Sequence, residues 1–170
     1  MVDLQKAYRH AVAAALELYP CAYPRKDDEL YLPGRAGAEA SYENGIVKYV
    51  VPEIPWHVRN DDPLQSKLNS FWTELILYAH TKADIKIQFQ KALCIIKVYY
   101  PLKTPWDIDN RAYKHIVDAI RYTKLIPDDS SKHLSIMFTG VPGSKEKKTE
   151  IFVCDIELIS ALFSEVGIAI

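Results

Sequence analysis

The sequence predicts an α+β fold, a mixed β-sheet with helices packed on it, and three observations predict it. Asn44-Gly45 sits inside "AEASYENGIVKYVV", between two β-prone runs. That dipeptide is a strong hairpin signal, because both central residues of such a turn need positive φ. Leu64, Leu68, Phe71, Leu75 and Tyr78 then recur at helical spacing, giving a helix to about residue 82. Finally, "IKIQFQ" alternates at period two and "ALCIIKVYYP" is rich in β-formers, so 85–100 reads as one long or bent strand.

The remaining elements follow in order. Residues 3–18 have Asp3 as a cap and an apolar stripe of Leu4, Tyr8, Ala11, Ala15 and Leu18, which predicts a helix. Pro20 and Pro24 end it, and "YPRKDDELYLPGRAG" reads as a loop. Residues 1–40 are therefore expected to be an N-terminal helical and loop extension, with the main domain over 41–170. The strand Ile46–Val51 stops at Pro52 and Pro55, and Asp62-Pro63 supplies a cap and a proline for the first helical position. Trp72 is expected beside the apolar stripe of that helix. A second helix is expected over 110–122. Ala112, Tyr113, Ile116, Val117, Ala119 and Ile120 fill its apolar arc, leaving Asn110, Arg111, Lys114, His115, Asp118 and Arg121 facing outward. "HLSIMFTG" and "TEIFVCDIEL" read as strands joined hairpin-fashion by "VPGSKEKK", and "ISALFSEVGIAI" suits helix or strand. The predicted order is an α arm, then β-β-α-β-α-β-β, with the helices on one face of the sheet.

Composition narrows the function classes. A chain of 170 residues, 49 % hydrophobic and 25 % charged, can bury a real core and is not a disordered segment. No apolar run approaches the roughly 20 residues of a membrane helix. The N-terminus "MVDLQKAYRH" has no signal-peptide core, so the expectation is a cytoplasmic protein without a membrane partner. Cys21, Cys94 and Cys154 form neither an even disulfide set nor a metal knuckle and are expected as buried thiols. His10, His57, His80, His115 and His133 lack zinc-site spacing, and Ser130-Ser131 with His133 is too local for a triad. No glycine-rich nucleotide loop is present, so no organic cofactor is expected. The net charge of −1 hides a segregation: residues 86–148 hold twelve Lys/Arg against six Asp/Glu, and the rest of the chain is acidic.

The basic stretch also holds the acids that carry chemistry. From Thr104 to Asp129 there are five aspartates, with Asp107 and Asp109 ahead of the 110–122 helix and Asp128 and Asp129 behind it. One-residue spacing in an extended segment puts Asp107 and Asp109 on the same side of the chain. Converging carboxylates suit a hard divalent cation, and Asp129 could complete the set if its loop folds back. The alternative is local: Asp109 or Asn110 as a helix N-cap, and "IPDDSS" as turn chemistry. Trp56 and Trp106 either stack on bases or pack beside their prolines.

"D-I-D-N … K-H-I-V-D-A-I … I-P-D-D-S" resembles the signature of the RusA-type Holliday junction resolvases, over about residues 88–156. The resemblance implies a Mg²⁺-dependent (Mn²⁺ also suitable) endonuclease that hydrolyses DNA phosphodiesters at four-way junctions as a homodimer. It implies Asp107, Asp109 and Asp129 as metal ligands, Lys114 near the scissile phosphate, and Asn110, Asp118 and Asp128 in support. Lys103, Arg111, Arg121, Lys132 and Arg59 are the basic candidates for DNA contact. Lys114 stands five residues after Asp109, where the family usually has four. That difference keeps a non-cleaving junction-binding protein as the alternative.

Overall fold

Asn44 and Gly45 take φ of 51° and 81°, and the two-residue turn they form joins β1 (Glu39–Glu43) to β2 (Ile46–Val51) as an antiparallel hairpin. The computed structural model describes residues 37–56, 64–101 and 111–168, plus helical positions His10, Ala11 and Ala14 within the expected N-terminal helix. β1 begins at Glu39, just inside the expected extension. The Asp62-Pro63 start signal, Cys21 and Trp106 lie outside the described residues. α1 (Gln65–Lys82) follows, then β3 (Ala92–Tyr100), α2 (Tyr113–Tyr122), β4 (Leu134–Pro142) and β5 (Lys148–Asp155). A 3₁₀ turn at Ile156–Leu158 leads into α3 (Ile159–Val166).

The sheet order is β1-β2-β5-β3-β4. β3 and β4 are parallel, linked by the crossover helix α2, and every other pair is antiparallel. One sheet face carries Val47, Tyr49, Cys94, Ile96, Val98, Ile151 and Val153 and packs against α1 and α2. Trp72, Leu75, Ile76, Ile116 and Ile120 are the buried helix contribution, so Trp72 is core. Each such aliphatic side chain stabilises the fold by about 1.5–3 kcal/mol relative to exposure.

Four expectations change. The segment 85–91 is not strand: Ile85 and Phe89 are buried, but the Phe89 N–H donates to the Leu125 carbonyl at 2.8 Å. Its alternation anchors a loop under α2 instead. β4 and β5 are not a hairpin, because β3 lies between them. β5 is buried on both faces and takes a central place, while the half-exposed β4 takes an edge, so their loop passes the end of β3, where Ser144 N–H meets the Tyr100 carbonyl at 3.1 Å. The helices are not all on one face, since α3 lays Leu162 and Val166 on Ile95, Phe152 and Cys154 of the outer face. Gly167, at φ 74°, ends α3 with a left-handed residue. Finally, α2 begins at Tyr113, with Ala112 in the cap position and no capping side chain.

Cys94 and Cys154 are buried and unbridged, and belong to clusters on opposite sheet faces. Burial pushes their thiols up to about 12 and about 11. Among the described residues no helix is long and apolar enough to cross a membrane.

Candidate functional site

α2 organises the described part of the site. Its apolar arc docks on the sheet as expected, with Ile116, Ala119 and Ile120 fully buried. Tyr113 stacks on Phe138 of β4, ring centroids 4.2 Å apart, which fixes the start of the helix against the middle of that strand. The opposite arc is not uniformly exposed. His115 and Asp118 are each only 4 % exposed, a correction to their expected outward position. The cause is α1, which packs along α2 and brings Gln65 Oε1 within hydrogen-bond distance of His115 Nε2. Burial holds the His115 imidazole below its usual range.

Lys114, one residue into α2, is exposed, unlike the other described members of the outward arc. Its Nζ lies 2.7 Å from Asp118 Oδ2, with the lysine side chain 77 % exposed and the aspartate side chain 6 % exposed. A buried carboxylate one turn along therefore braces an ammonium that reaches into solvent. Arg111 and Arg121 are half-buried, and the Arg121 guanidinium lies 4.9 Å from the Tyr122 ring centroid, whereas Lys132 is exposed.

Asp128 and Asp129 are exposed in the loop after α2. Asp128 takes part in the turn: the Asp129 backbone N–H, joined by the Asp129 and Ser130 side chains and by Arg121, holds its carboxyl below the usual carboxylate range. The loop is fastened to the foot of β3, where the Ala92 N–H donates to the His133 carbonyl and the Phe89 N–H to that of Leu125. Lys114 lies in the first turn of the ten-residue helix α2, and Asp129 follows its last residue, Tyr122, in the loop toward β4.

Asp107, Asp109, Asn110, Lys103 and Arg59 lie outside the described residues. Among the described residues no three His, Cys, Asp or Glu side chains gather as a metal cluster. Asp129 has the chemistry of one hard-cation ligand, an exposed carboxylate not taken up by α2. Trp56 stacks on Phe71 at 5.6 Å and its carbonyl accepts from Ala112 N–H, so it packs the entry to α2.

Sequence reading missed a polar cluster on the outer sheet face. Glu150 of β5, only 7 % exposed, accepts from Lys148 Nζ at 2.9 Å and Tyr99 Oη at 2.8 Å, with Lys48 Nζ 3.6 Å away. These residues come from three strands, and only the strand order brings them together. A second buried pair, Tyr49 Oη to His80 Nδ1 at 2.7 Å, lies under α1. Comparison with protein-family models and with curated proteins finds no match to this chain.

Proposed function

We propose that the protein is a RusA-like, Mg²⁺-dependent endonuclease acting on branched DNA, Holliday junctions included. The observation that carries this reading is the Lys114–Asp118 pair, an exposed ammonium aimed by a buried carboxylate at the start of α2. A lysine so held acts as a point charge for the oxygens of a phosphodiester, with Asp118 as its positioning residue. Asp107, Asp109 and Asp129 are the proposed Mg²⁺ ligands, with Mn²⁺ as substitute. The bound ion would supply an activated water and neutralise charge developing on the phosphoryl oxygens.

A homodimer belongs to this proposal. Symmetric cutting of a four-way junction calls for two equivalent sites related by a two-fold axis. β4, "LSIMFTGVP", has no charge across nine residues, and Ile136 on it is 39 % exposed. The other edge strand, β1, is five residues long with a glutamate at each end. Charge and shortness protect β1 from edge pairing, and β4 lacks both protections. Antiparallel pairing of β4 with its symmetry copy would carry the second copy's Asp129 loop toward the Lys114 end of the first. Each site would then draw Lys114 from one copy and Asp129 from the other.

The test is cleavage of a synthetic four-way junction in Mg²⁺. Asp109→Asn is expected to abolish it, and full cleavage by that variant would end the nuclease reading. The second reading, a non-cleaving junction binder, draws on the five-residue Asp109 to Lys114 spacing. A gel shift without cleavage in either Mg²⁺ or Mn²⁺ would favour it.

A further inference from the structure

Asp118 stands one turn along α2 from two different basic side chains. Lys114 is four residues before it and His115 three, and both spacings bring side chains together on a helix. Lys114 approaches from solvent, its Nζ 2.7 Å from Asp118 Oδ2. His115 is buried with Asp118 under α1, each 4 % exposed. The carboxylate that aims Lys114 therefore lies between an exposed ammonium and a buried imidazole.

The imidazole is matched on one side only. Its Nε2 meets Gln65 Oε1 of α1 at hydrogen-bond distance, while Nδ1 is buried and has no partner among the described residues. In the neutral ring that leaves one unmatched polar atom. The imidazolium carries a proton on both nitrogens, so its Nδ1–H would need an acceptor that α1 does not provide. Asp118, one turn away, has the chemistry of that acceptor.

Few charges act on the ring. Burial acts most strongly and holds it below its usual range, Asp118 pulls the other way, and Lys114 acts with burial. Arg111, half-buried, stands just ahead of α2. From α1 the contact is the neutral Gln65; Lys67 is exposed, and Glu74 lies about two and a half turns farther along that helix. The sheet beneath α2 presents the apolar residues of its inner face.

We propose that His115 is a positioning residue for Lys114, acting through Asp118 as an acid-sensitive switch: the neutral ring leaves the carboxylate to Lys114, and the imidazolium draws it away. The proton comes from solvent, and Lys114 stays protonated throughout, since an ordinary lysine titrates near about 10.4. What acid removes is the aim of the ammonium, not its charge. The proposal rests on the nuclease reading for what Lys114 holds, but the exchange of partners belongs to α2 and is measured without DNA.

The test follows the full-length protein from about pH 8 to about pH 4.5, a range that brackets an ordinary histidine. In NMR, the His115 C2–H gives the midpoint, assigned by its loss in His115→Gln or its displacement in Gln65→Glu. The Lys114 ε-methylene reports the partner of the ammonium. Its resonance is expected to shift at the His115 midpoint in the wild type and to stay still there in Asp118→Asn. Single-turnover junction cleavage in Mg²⁺, each protein scaled to its own rate at about pH 8, is expected to fall about tenfold further across that midpoint in the wild type than in His115→Gln. Gln65→Glu sets a carboxylate against Nε2 and is expected to raise the midpoint and to carry both readouts with it. That variant decides the matter if His115→Gln does not fold. A Lys114 signal indifferent to the His115 midpoint overturns the proposal, as does a His115 that never titrates before the protein unfolds. An acid limb of cleavage that is the same in His115→Gln, or unmoved in Gln65→Glu, overturns it too. No cleavage by the wild type at any pH overturns the nuclease reading instead, and the NMR titration then decides the exchange of partners by itself.

Discussion

Lys114 and Asp118 form an ion pair of 2.7 Å in which one partner is almost wholly in water and the other almost wholly out of it. Such a pair adds little to stability, because water screens the exposed ammonium. Lys114→Gln is expected to shift unfolding free energy by under about 1 kcal/mol, while junction cleavage falls about a hundredfold or more. Asp118→Asn keeps the shape and removes the brace, so cleavage at saturating DNA is expected to fall about tenfold through misplacement of the ammonium. Chemical denaturation beside single-turnover cleavage checks both. A Lys114→Gln protein that cuts normally would remove the lysine from the site.

Asp128 and Asp129 are adjacent but not equivalent. The Asp129 N–H and Ser130 engage the Asp128 carboxylate within the turn. Asp128→Asn is therefore expected to retain Mg²⁺-dependent cleavage within a few-fold and to loosen the turn. Asp129→Asn is expected to lose cleavage, and also to lose the thermal shift expected of the wild type in millimolar Mg²⁺. The reverse pattern would exchange their roles.

Stability should fall with acid in two stages. Burial holds His80 and His115 below their usual range. Below about pH 6.5 the unfolded chain takes up protons that the folded chain refuses, and stability declines as pH drops until the depressed folded values are reached. Glu150 behaves separately. Burial pushes its carboxyl up, but Lys148, Tyr99 and Lys48 outweigh that and hold it below the usual carboxylate range. Its contribution is present above the unfolded value and is lost as pH falls through the folded one. Thermal midpoints measured between about pH 7 and pH 5 should decline less steeply in His115→Gln than in the wild type.

Gly45 joins a backbone demand to a steric one. Its φ is +81°, and a Cβ there would stand 2.6 Å from Leu158 Cδ1. Gly45→Ala is expected to cost about 1–2 kcal/mol. Gly143 has φ of +71° with nothing within 4 Å of the same added atom. Gly143→Ala should thus cost only the backbone part, about 1 kcal/mol. The difference in denaturation midpoint measures how far Leu158 must yield.

The hairpin at Asn44-Gly45, the α1 stripe and the apolar arc of α2 were legible because each is a local pattern in the chain. The place of β4 was not, since "VPGSKEKK" suits a hairpin loop equally well, and the choice was made by burial of β5 on both faces. His115 and Asp118 sit on the polar arc of a helical wheel, and no wheel reveals that α1 covers that arc. Glu150, Tyr99, Lys48 and Lys148 meet only through strand register. Of the candidate ligands, Asp129 lies among the described residues, exposed in the loop after α2, and Asp107 and Asp109 lie outside them.

The proposed homodimer has a direct test in Lys114 and Asp129, which flank α2 along the sequence. If each site takes Lys114 from one copy and Asp129 from the other, Lys114→Ala and Asp129→Asn homodimers are each inactive, with both sites damaged. A heterodimer of the two variants is different. One of its sites combines both defects, and the other combines the intact lysine of the Asp129→Asn copy with the intact aspartate of the Lys114→Ala copy. Mixing the two proteins after partial denaturation and refolding should restore about a quarter of the wild-type sites. The product should be a nicked junction rather than a symmetrically resolved one, because only one strand meets a working site. Sites built within a single copy would leave every mixed dimer inactive, and a mixture that never nicks would show that Asp129 acts alongside the Lys114 of its own chain or not at all.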